Sequence, residues 1–329
     1  MNKTFYLETG STDPAYNLAF EEFVQTHRRS GNYLILWQNR NAVIIGRNQN
    51  AEEEINAAFV KQHDIKVIRR NTGGGAVYHD MGNLNYSFIT DAGDISERSA
   101  KLFTEPVVGA LKALGTDAEA SGRNDILISG RKVSGTAQHI IQGRILHHGT
   151  LLFESNPEMI AGALNPDPTK FQSKSVKSVR SRVGNIRSLL PSDMSLQSFW
   201  EYLKTALASD GIIPASLTAE ELAEIHKLKA EKYDTWDWNF GRSPKFQRKS
   251  KNRYSAGALE IHLSVAEGAI QDIRILGDFL ALTPVEPLEN ALKGCAYRED
   301  AVASVLDRFD LTETLGGIEK TEFLETIFA

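Results

Sequence analysis

The stretch Arg69-Arg70-Asn71-Thr72-Gly73-Gly74-Gly75-Ala76-Val77-Tyr78-His79-Asp80 decides how this 329-residue chain is read. Two cations lead into three consecutive glycines and then into a β-forming segment. Glycines let a backbone approach a ligand closely and turn its N–H groups inward, which suits a phosphate or a carboxylate. Ile65-Lys66-Val67-Ile68 reads as a short strand, so the glycines stand at a strand end, where small ligands are often held. A triple glycine alone is equally a tight turn, and Asp80 after His79 is equally a turn residue.

Working outward, Thr12-Asp13-Pro14 offers a capping side chain and a proline at the first helical position. Tyr16, Phe20, Phe23 and Val24 then recur at helical spacing over residues 15–26. Residues 33–37 and 42–46 read as strands around the turn-like Asn39-Arg40-Asn41, residues 52–62 as a helix, and 83–88 as a half-buried strand. A helix over 104–114 is closed by Gly115, with Pro106 early enough to be tolerated. Further strands are expected over 125–129, 130–133 and 149–153, and helices over 196–208 and 219–232, the second announced by a Thr218/Glu221 capping box. The polar, basic stretch at 243–251 reads as a linker. Beyond it Leu259, Ile261, Leu263 and Val265 alternate with polar residues, a turn follows at Glu267-Gly268, and a second strand and three short helices finish a small α+β unit. The expected organisation is an α/β (α+β) protein of two domains, residues 1–245 and 252–329, joined by a linker at 246–251.

Hydrophobic content of 41% and charge content of 24% are ordinary for a globular chain, and a net charge of −5 argues against a protein dominated by nucleic-acid contacts. No apolar run approaches the ~18 residues of a membrane span, and Met1-Asn2-Lys3-Thr4-Phe5 lacks a signal-peptide core, so a cytoplasmic location is expected. The single cysteine, Cys295, excludes an intramolecular disulfide, and the eight histidines show no zinc-type spacing.

Four more clusters carry potential chemistry. In Gly130-Arg131-Lys132-Val133-Ser134-Gly135-Thr136-Ala137-Gln138, an ammonium in a Gly/Ser-rich loop reaches a bound phosphate or carboxylate, or is simply an exposed loop lysine. Asn124 and Asp125 either orient Mg2+ through oxygen ligands or form a turn. His147-His148-Gly149-Thr150 either bonds a substrate or starts a strand. Lys170, Lys174, Lys177, Arg180 and Arg182 crowd a segment without acidic residues, which fits a basic loop ordering over a nucleotide as well as a solvated linker.

Taken together and in this order, these motifs resemble lipoate-protein ligases. Trp37 with Ile44-Ile45-Gly46-Arg47-Asn48-Gln49-Asn50, Gly82-Asn83-Leu84-Asn85, Ser178-Val179-Arg180-Ser181-Arg182-Val183, Trp236-Asp237-Trp238-Asn239-Phe240-Gly241 and Gly294-Cys295-Ala296-Tyr297-Arg298 extend the resemblance over nearly the whole chain. It implies a large catalytic domain related to biotin ligases and a small C-terminal domain. It implies activation of lipoate by ATP and Mg2+ to lipoyl-AMP, with release of pyrophosphate. The lipoyl group then passes to a lysine on the lipoyl domain of an α-keto acid dehydrogenase E2 subunit or on glycine-cleavage H protein. By the same resemblance Lys132 is catalytic, and Trp37, Arg70, Gly73, Gly74, Gly75, Ala76, Val77, Tyr78, His79, Asn83, Asn124, Ser134, Gly135, Ala137, His148, Gly149 and Thr150 hold lipoate (or octanoate) and nucleotide. Asp125 holds Mg2+ through ATP phosphate, and Lys174, Arg180 and Arg182 belong to a covering loop over 170–183. A monomer is expected, with no nucleic-acid or membrane partner.

Three rivals remain. An ATP-independent octanoyl- or lipoyl-transferase that forms an acyl-enzyme uses a cysteine, and Cys295 lies far in sequence from every motif. Biotin ligases carry a different glycine-rich motif. A non-catalytic lipoate or nucleotide sensor does not require so complete a set of motifs.

Overall fold

The computed structural model describes residues 4–93, 100–122, 124–165, 183–208, 211–240, 248–266 and 268–329. Among the described residues, fourteen strands form three sheets. The largest takes β1 (Thr4–Glu8), β2 (Asn32–Trp37), β6 (Asn83–Asp91), β7 (Glu119–Ser121), β8 (Asp125–Ile128), β9 (Arg131–Ile141), β10 (Arg144–Leu152) and β11 (Ile212–Pro214) in the order β11-β1-β2-β6-β10-β9-β8-β7. Its β11, β1 and β2 run parallel, and the rest is antiparallel. A second sheet has the order β4 (Lys66–Arg69), β3 (Ala42–Ile45), β5 (Val77–His79). Near the C-terminus β12 (Arg248–Tyr254), β13 (Gly257–Ala266) and β14 (Ala269–Gly277) make an antiparallel meander.

The continuous apolar run of β2 belongs to a strand covered on both faces. Leu34 and Leu36 enter a core with Tyr86, Val107, Phe153 and Phe199, under the helices Ala100–Ala113 and Leu196–Ala206. Ile35 and Trp37 enter the opposite core with Phe20, Ile44 and Leu146, between the large sheet, the helix Pro14–His27 and the second sheet. The space between those two sheets holds the residues of interest.

Several elements differ from the sequence reading. Residues 52–62 form two helices, Ala51–Glu54 and Ala57–Gln62, because extended Ile55 bridges to Leu164 and the Asn56 side chain caps the second helix. The helix containing Pro106 begins by Ala100, so the proline is internal, with no N–H for the carbonyl four residues back. Lys132 lies in the long β9–β10 hairpin, not in a loop. Helix 219–232 is α-helical over Ala219–Leu228 and continues as a π-turn over Lys229–Tyr233, with its capping box formed. Asp13 does not cap its helix; its carboxylate pairs with Lys66 and Lys229. Residues 248–251, expected in a linker, pair with 260–263. Four helices, not three, follow β14: Glu286–Leu292, Glu299–Leu306, Leu311–Leu315 and Lys320–Phe328.

Arg69 ends β4 as one of the most buried large side chains, 1% exposed. Its guanidinium donates to the carbonyls of Gly46, Arg47, Gln49, Trp238 and Asn239, fastening the loop after β3 to the helix Trp236–Asn239. Replacing it by methionine (Arg69→Met) strands these acceptors in a dry interior. Chemical unfolding is expected to show a loss of roughly 3 kcal/mol or more; a loss below about 1 kcal/mol contradicts this bracing role.

Candidate functional site

The glycine-rich loop is built on its own arginine. Arg70 Nε donates to Thr72 Oγ1 at 2.9 Å, Nη1 to the Ile44 carbonyl at 3.1 Å, and Nη2 to the carbonyls of Gly73 and Gly75 at 2.6 and 2.9 Å. Burial draws the guanidinium down to about 10, so it stays charged at neutral pH. Gly74 takes a left-handed φ of 88°, which favours glycine. The loop also meets the C-terminal unit. Gly74 N donates to the Phe279 carbonyl at 3.2 Å, and a Cβ on Gly73 would stand 2.7 Å from that same oxygen. Gly277 N bonds the Asn48 carbonyl, Ile140 N bonds the Leu282 carbonyl, and Arg47 pairs with Glu286. Close backbone approach at these glycines therefore serves a protein neighbour.

Across the inter-sheet space runs a buried polar chain. Trp37 Nε1 donates to Ser87 Oγ at 2.8 Å, and Ser87 donates to Glu21 Oε1 at 2.5 Å. Glu21 meets His148 Nδ1 at 2.9 Å, and His148 Nε2 lies 2.8 Å from Thr72 Oγ1. Glu21, Ser87 and Thr72 were not singled out from the sequence. The only signal for Glu21 was a carboxylate beside the apolar helical face of Phe20, Phe23 and Val24. His79 lies edge-on to Trp37, with ring centroids 6.4 Å apart, and Asn39 Nδ2 donates to its Nδ1 at 3.1 Å. A second missed cluster flanks the loop: Lys232, on the π-turn, bonds Glu22 and the Asn71 amide oxygen and lies over the Trp238 ring.

Lys132 reaches this space through a β-bulge. The β8–β9 register jumps from Ile126↔Ser134 to Leu127↔Lys132, leaving Val133 as the extra residue. The slip turns the lysine onto the face shared by Gly135 and Asp125. Its Nζ pairs with Asp125 Oδ1 at 2.7 Å, and a Cβ on Gly135 would lie 3.2 Å from that nitrogen. Gly135 N donates to Thr150 Oγ1, and Ala137, opposite His148, shares that face. Asn124 clasps Thr136 through its amide and its backbone carbonyl. Asn83 Nδ2 donates to Asn85 Oδ1, while its own Oδ1 has no partner among the described residues. Past the segment at 166–182, Gly184 N bonds the Lys132 carbonyl.

Not every expected residue comes to this face. Tyr78 packs with Val43 and Ile45 on the outer side of β5 and donates to Asn41, and Ala76 joins the same cluster. Ser134 lies beside Tyr86 on the helix-covered face of the large sheet. Gly149 is on that face too, where a Cβ would meet the Tyr86 hydroxyl at 2.5 Å. His147 stacks on Phe103 there, apart from His148. Asp80 accepts from the backbone of Gly82 and Asn156 as a turn residue. Lys174, Arg180 and Arg182 lie outside the described residues. Among the described residues no three His, Cys, Asp or Glu side chains gather as a metal cage. Asp125, 31% exposed with one oxygen on Lys132, suits a divalent ion completed by substrate phosphates.

Residues 13–208 match the lipoyl protein ligase A/B catalytic domain model, and residues 243–327 match the bacterial lipoate protein ligase C-terminus model. The chain is 45% identical over 322 residues to lipoate-protein ligase LplJ of Bacillus subtilis (strain 168), covering 96% of this chain and 97% of that protein. Its structure is similar to that of P. falciparum LipL1 in complex with lipoate, with a TM-score of 0.78 over 98% of this chain and 97% of that one. At 24% identity that likeness is one of fold. A lipoate-protein ligase A bound with ATP is 29% identical, with a TM-score of 0.62 over 73% of this chain and 98% of that one.

Burial holds His79 and His147 down at about 3 and His139 at about 4, against an ordinary 6.5, so all three are neutral in the folded chain at neutral pH. The unfolded chain takes up their protons first as pH falls. The stability tied to neutrality is therefore complete above pH 6.5 and is lost progressively towards pH 3. Each such histidine contributes a slope of up to ~1.4 kcal/mol per pH unit in that window. Urea unfolding between pH 7.5 and 5 is expected to show steep acid destabilisation that flattens in His147→Phe; an unchanged slope refutes the assignment for His147.

Proposed function

Because the chain belongs to the lipoate-protein ligase family, we propose that the inter-sheet space is where it joins lipoate to AMP, with Lys132 as its catalytic cation. The enzyme is an ATP-dependent ligase. Lipoate is activated to lipoyl-AMP with release of pyrophosphate, and the lipoyl group then passes to a lysine of a lipoyl domain. In the first step a carboxylate oxygen bonds the α-phosphorus while the bond to the pyrophosphate oxygen breaks. In the second, the acceptor amine, having lost a proton, bonds the acyl carbon, and AMP leaves.

The observation that carries the site reading is the bulge that brings Lys132 beside the backbone of Gly135 with Asp125 as its partner. In that pair the Asp125 carboxylate stands where substrate oxygens come to lie. An incoming carboxylate and phosphate replace one anion by another around a fixed ammonium, which favours the charge that develops as the two oxyanions meet. Asn124, held by both of its bonds to Thr136, keeps Asp125 at the strand start. Asp125 would hold a divalent ion, which would neutralise charge on the leaving pyrophosphate. Val183 and Gly184, which follow the basic segment, are fastened to the Lys132 backbone.

The acceptors are E2 lipoyl domains and glycine-cleavage H protein, the enzyme acts as a monomer, and its location is the cytoplasm. No helix of the described residues is long and apolar enough to cross a membrane. Cys295 packs against the C-terminal core.

Incubation with ATP, Mg2+ and R-lipoate, without acceptor, is expected to yield lipoyl-AMP and pyrophosphate by mass spectrometry. Acyl transfer seen only from a preformed lipoyl donor would make the protein an ATP-independent transferase. Lys132→Ala is expected to slow adenylate formation by about 10²–10³; full activity in that variant removes Lys132 from the mechanism.

A further inference from the structure

We propose that His79 reads the far end of the acyl substrate, because the buried Asn17–Asn39 amide pair fixes its ring proton on Nε2 and offers that N–H to a sulfur-bearing tail. The proposal rests on the ligase reading above and adds which acid the site prefers.

The tautomer follows from the hydrogen bonds. Asn17 is fully buried, and its Nδ2 faces three oxygens: the carbonyls of Ser11 and Gln38 at 3.1 and 2.7 Å, and Asn39 Oδ1 at 2.9 Å. Flipping that amide would set its oxygen against two carbonyl oxygens, so the nitrogen must face them. Asn39 therefore turns its oxygen to Asn17 and its nitrogen to His79 Nδ1. With the Nδ1 lone pair engaged as an acceptor, the proton sits on Nε2. That Nε2 is buried and has no partner among the described residues. An orphaned buried N–H is costly unless an occupant of the site accepts from it.

Strand register gives the depth. Trp37 lies opposite Asn85, Asn85 opposite Thr150, and Thr150 is bonded by Gly135, so the four form one row across β2, β6, β10 and β9. With strands ~4.8 Å apart, Trp37 stands about 14 Å across the sheet from Gly135. A carboxylate held by Lys132 at Gly135 thus sends an octanoyl-length chain over Thr150 and Asn85 to the paired rings of Trp37 and His79. Val77 and His79 alternate with Tyr78 and so share the face of β5 that closes over this row.

A dithiolane at that point suits its surroundings. Its sulfurs are polarisable, favour aromatic edges and accept weakly from N–H. A methyl terminus does neither and leaves Nε2–H without an acceptor. The site therefore discriminates lipoate from octanoate by chemistry as well as by size.

The test is pyrophosphate release with lipoate and with octanoate, compared as kcat/KM. The intact enzyme is expected to favour lipoate by about tenfold. His79→Leu is expected to bring the ratio near one, whatever the absolute rates, and His79→Gln, whose amide nitrogen falls near the Nε2 position, is expected to restore it. In the intact enzyme, 1H–15N correlation of the His79 ring is expected to show the Nε2–H tautomer, shifted by lipoate and unmoved by octanoate. An unchanged ratio in His79→Leu, an Nδ1–H tautomer, or equal shifts from both acids overturns the proposal while leaving the ligase reading intact. Pyrophosphate from neither acid overturns both.

Discussion

Two buried guanidinium groups hold together a region that has little else to hold it. The loop from Gly46 to Gln49 and the loop from Thr72 to Gly75 present backbone carbonyls without a neighbouring strand to pair them. Arg69 and Arg70 supply the missing donors in fixed planar forks, Arg69 towards the first loop and Arg70 towards the second. Lysine, with its charge on a single nitrogen, lacks the geometry for so many divergent acceptors. The arrangement buries two charges, and Glu21 stands close enough to Arg70 to favour its charged form. Because Glu21 also holds His148 and Ser87, the helix Pro14–His27 is tied electrostatically to the glycine loop and to the large sheet at once.

From that anchoring the rest follows in order. The second sheet is pinned over the large one, and buried polar residues meet between them. Many of the polar residues there are satisfied by one another, while His79 Nε2, Asn83 Oδ1 and Asn17 Oδ1 are among the buried atoms left without a partner among the described residues. The C-terminal unit leans on the same loop through Phe279, just past the meander, so the glycine-rich backbone is supported from both ends of the chain.

The sequence disclosed the architecture where one physical signal dominated. Alternation in residues 259–265 and helical spacing from Tyr16 to Val24 each disclosed an element by its apolar face, although Glu260 and His262 on the strand and Asn17, Glu21 and Gln25 on the helix are buried as well, and the Thr218 capping box marked its helix start. The β9–β10 hairpin was hidden because its residues, buried on both faces and rich in glycine, serine and histidine, show no polar alternation. Glycines that admit a ligand and glycines that admit a neighbouring backbone look alike in one dimension. Gly73 meets Phe279 some two hundred residues downstream, and Gly149 makes room for Tyr86. Motif order pointed to Lys132, Asp125 and His148, whereas Glu21, Ser87 and Asn39 depend on tertiary proximity that no local pattern encodes.

The bulge at Val133 sets the direction of the Lys132 side chain by a count of residues and not by the identity of any one of them. Substitutions along this strand leave that count intact. Gaining a single codon between Lys132 and Gly135 would, with the bulge kept, swing the lysine to the helix-covered face, whereas losing one would leave a regular two-residue spacing and the lysine where it is. An insertion in this short interval would thus misdirect the lysine while every residue around it stayed present in the gene.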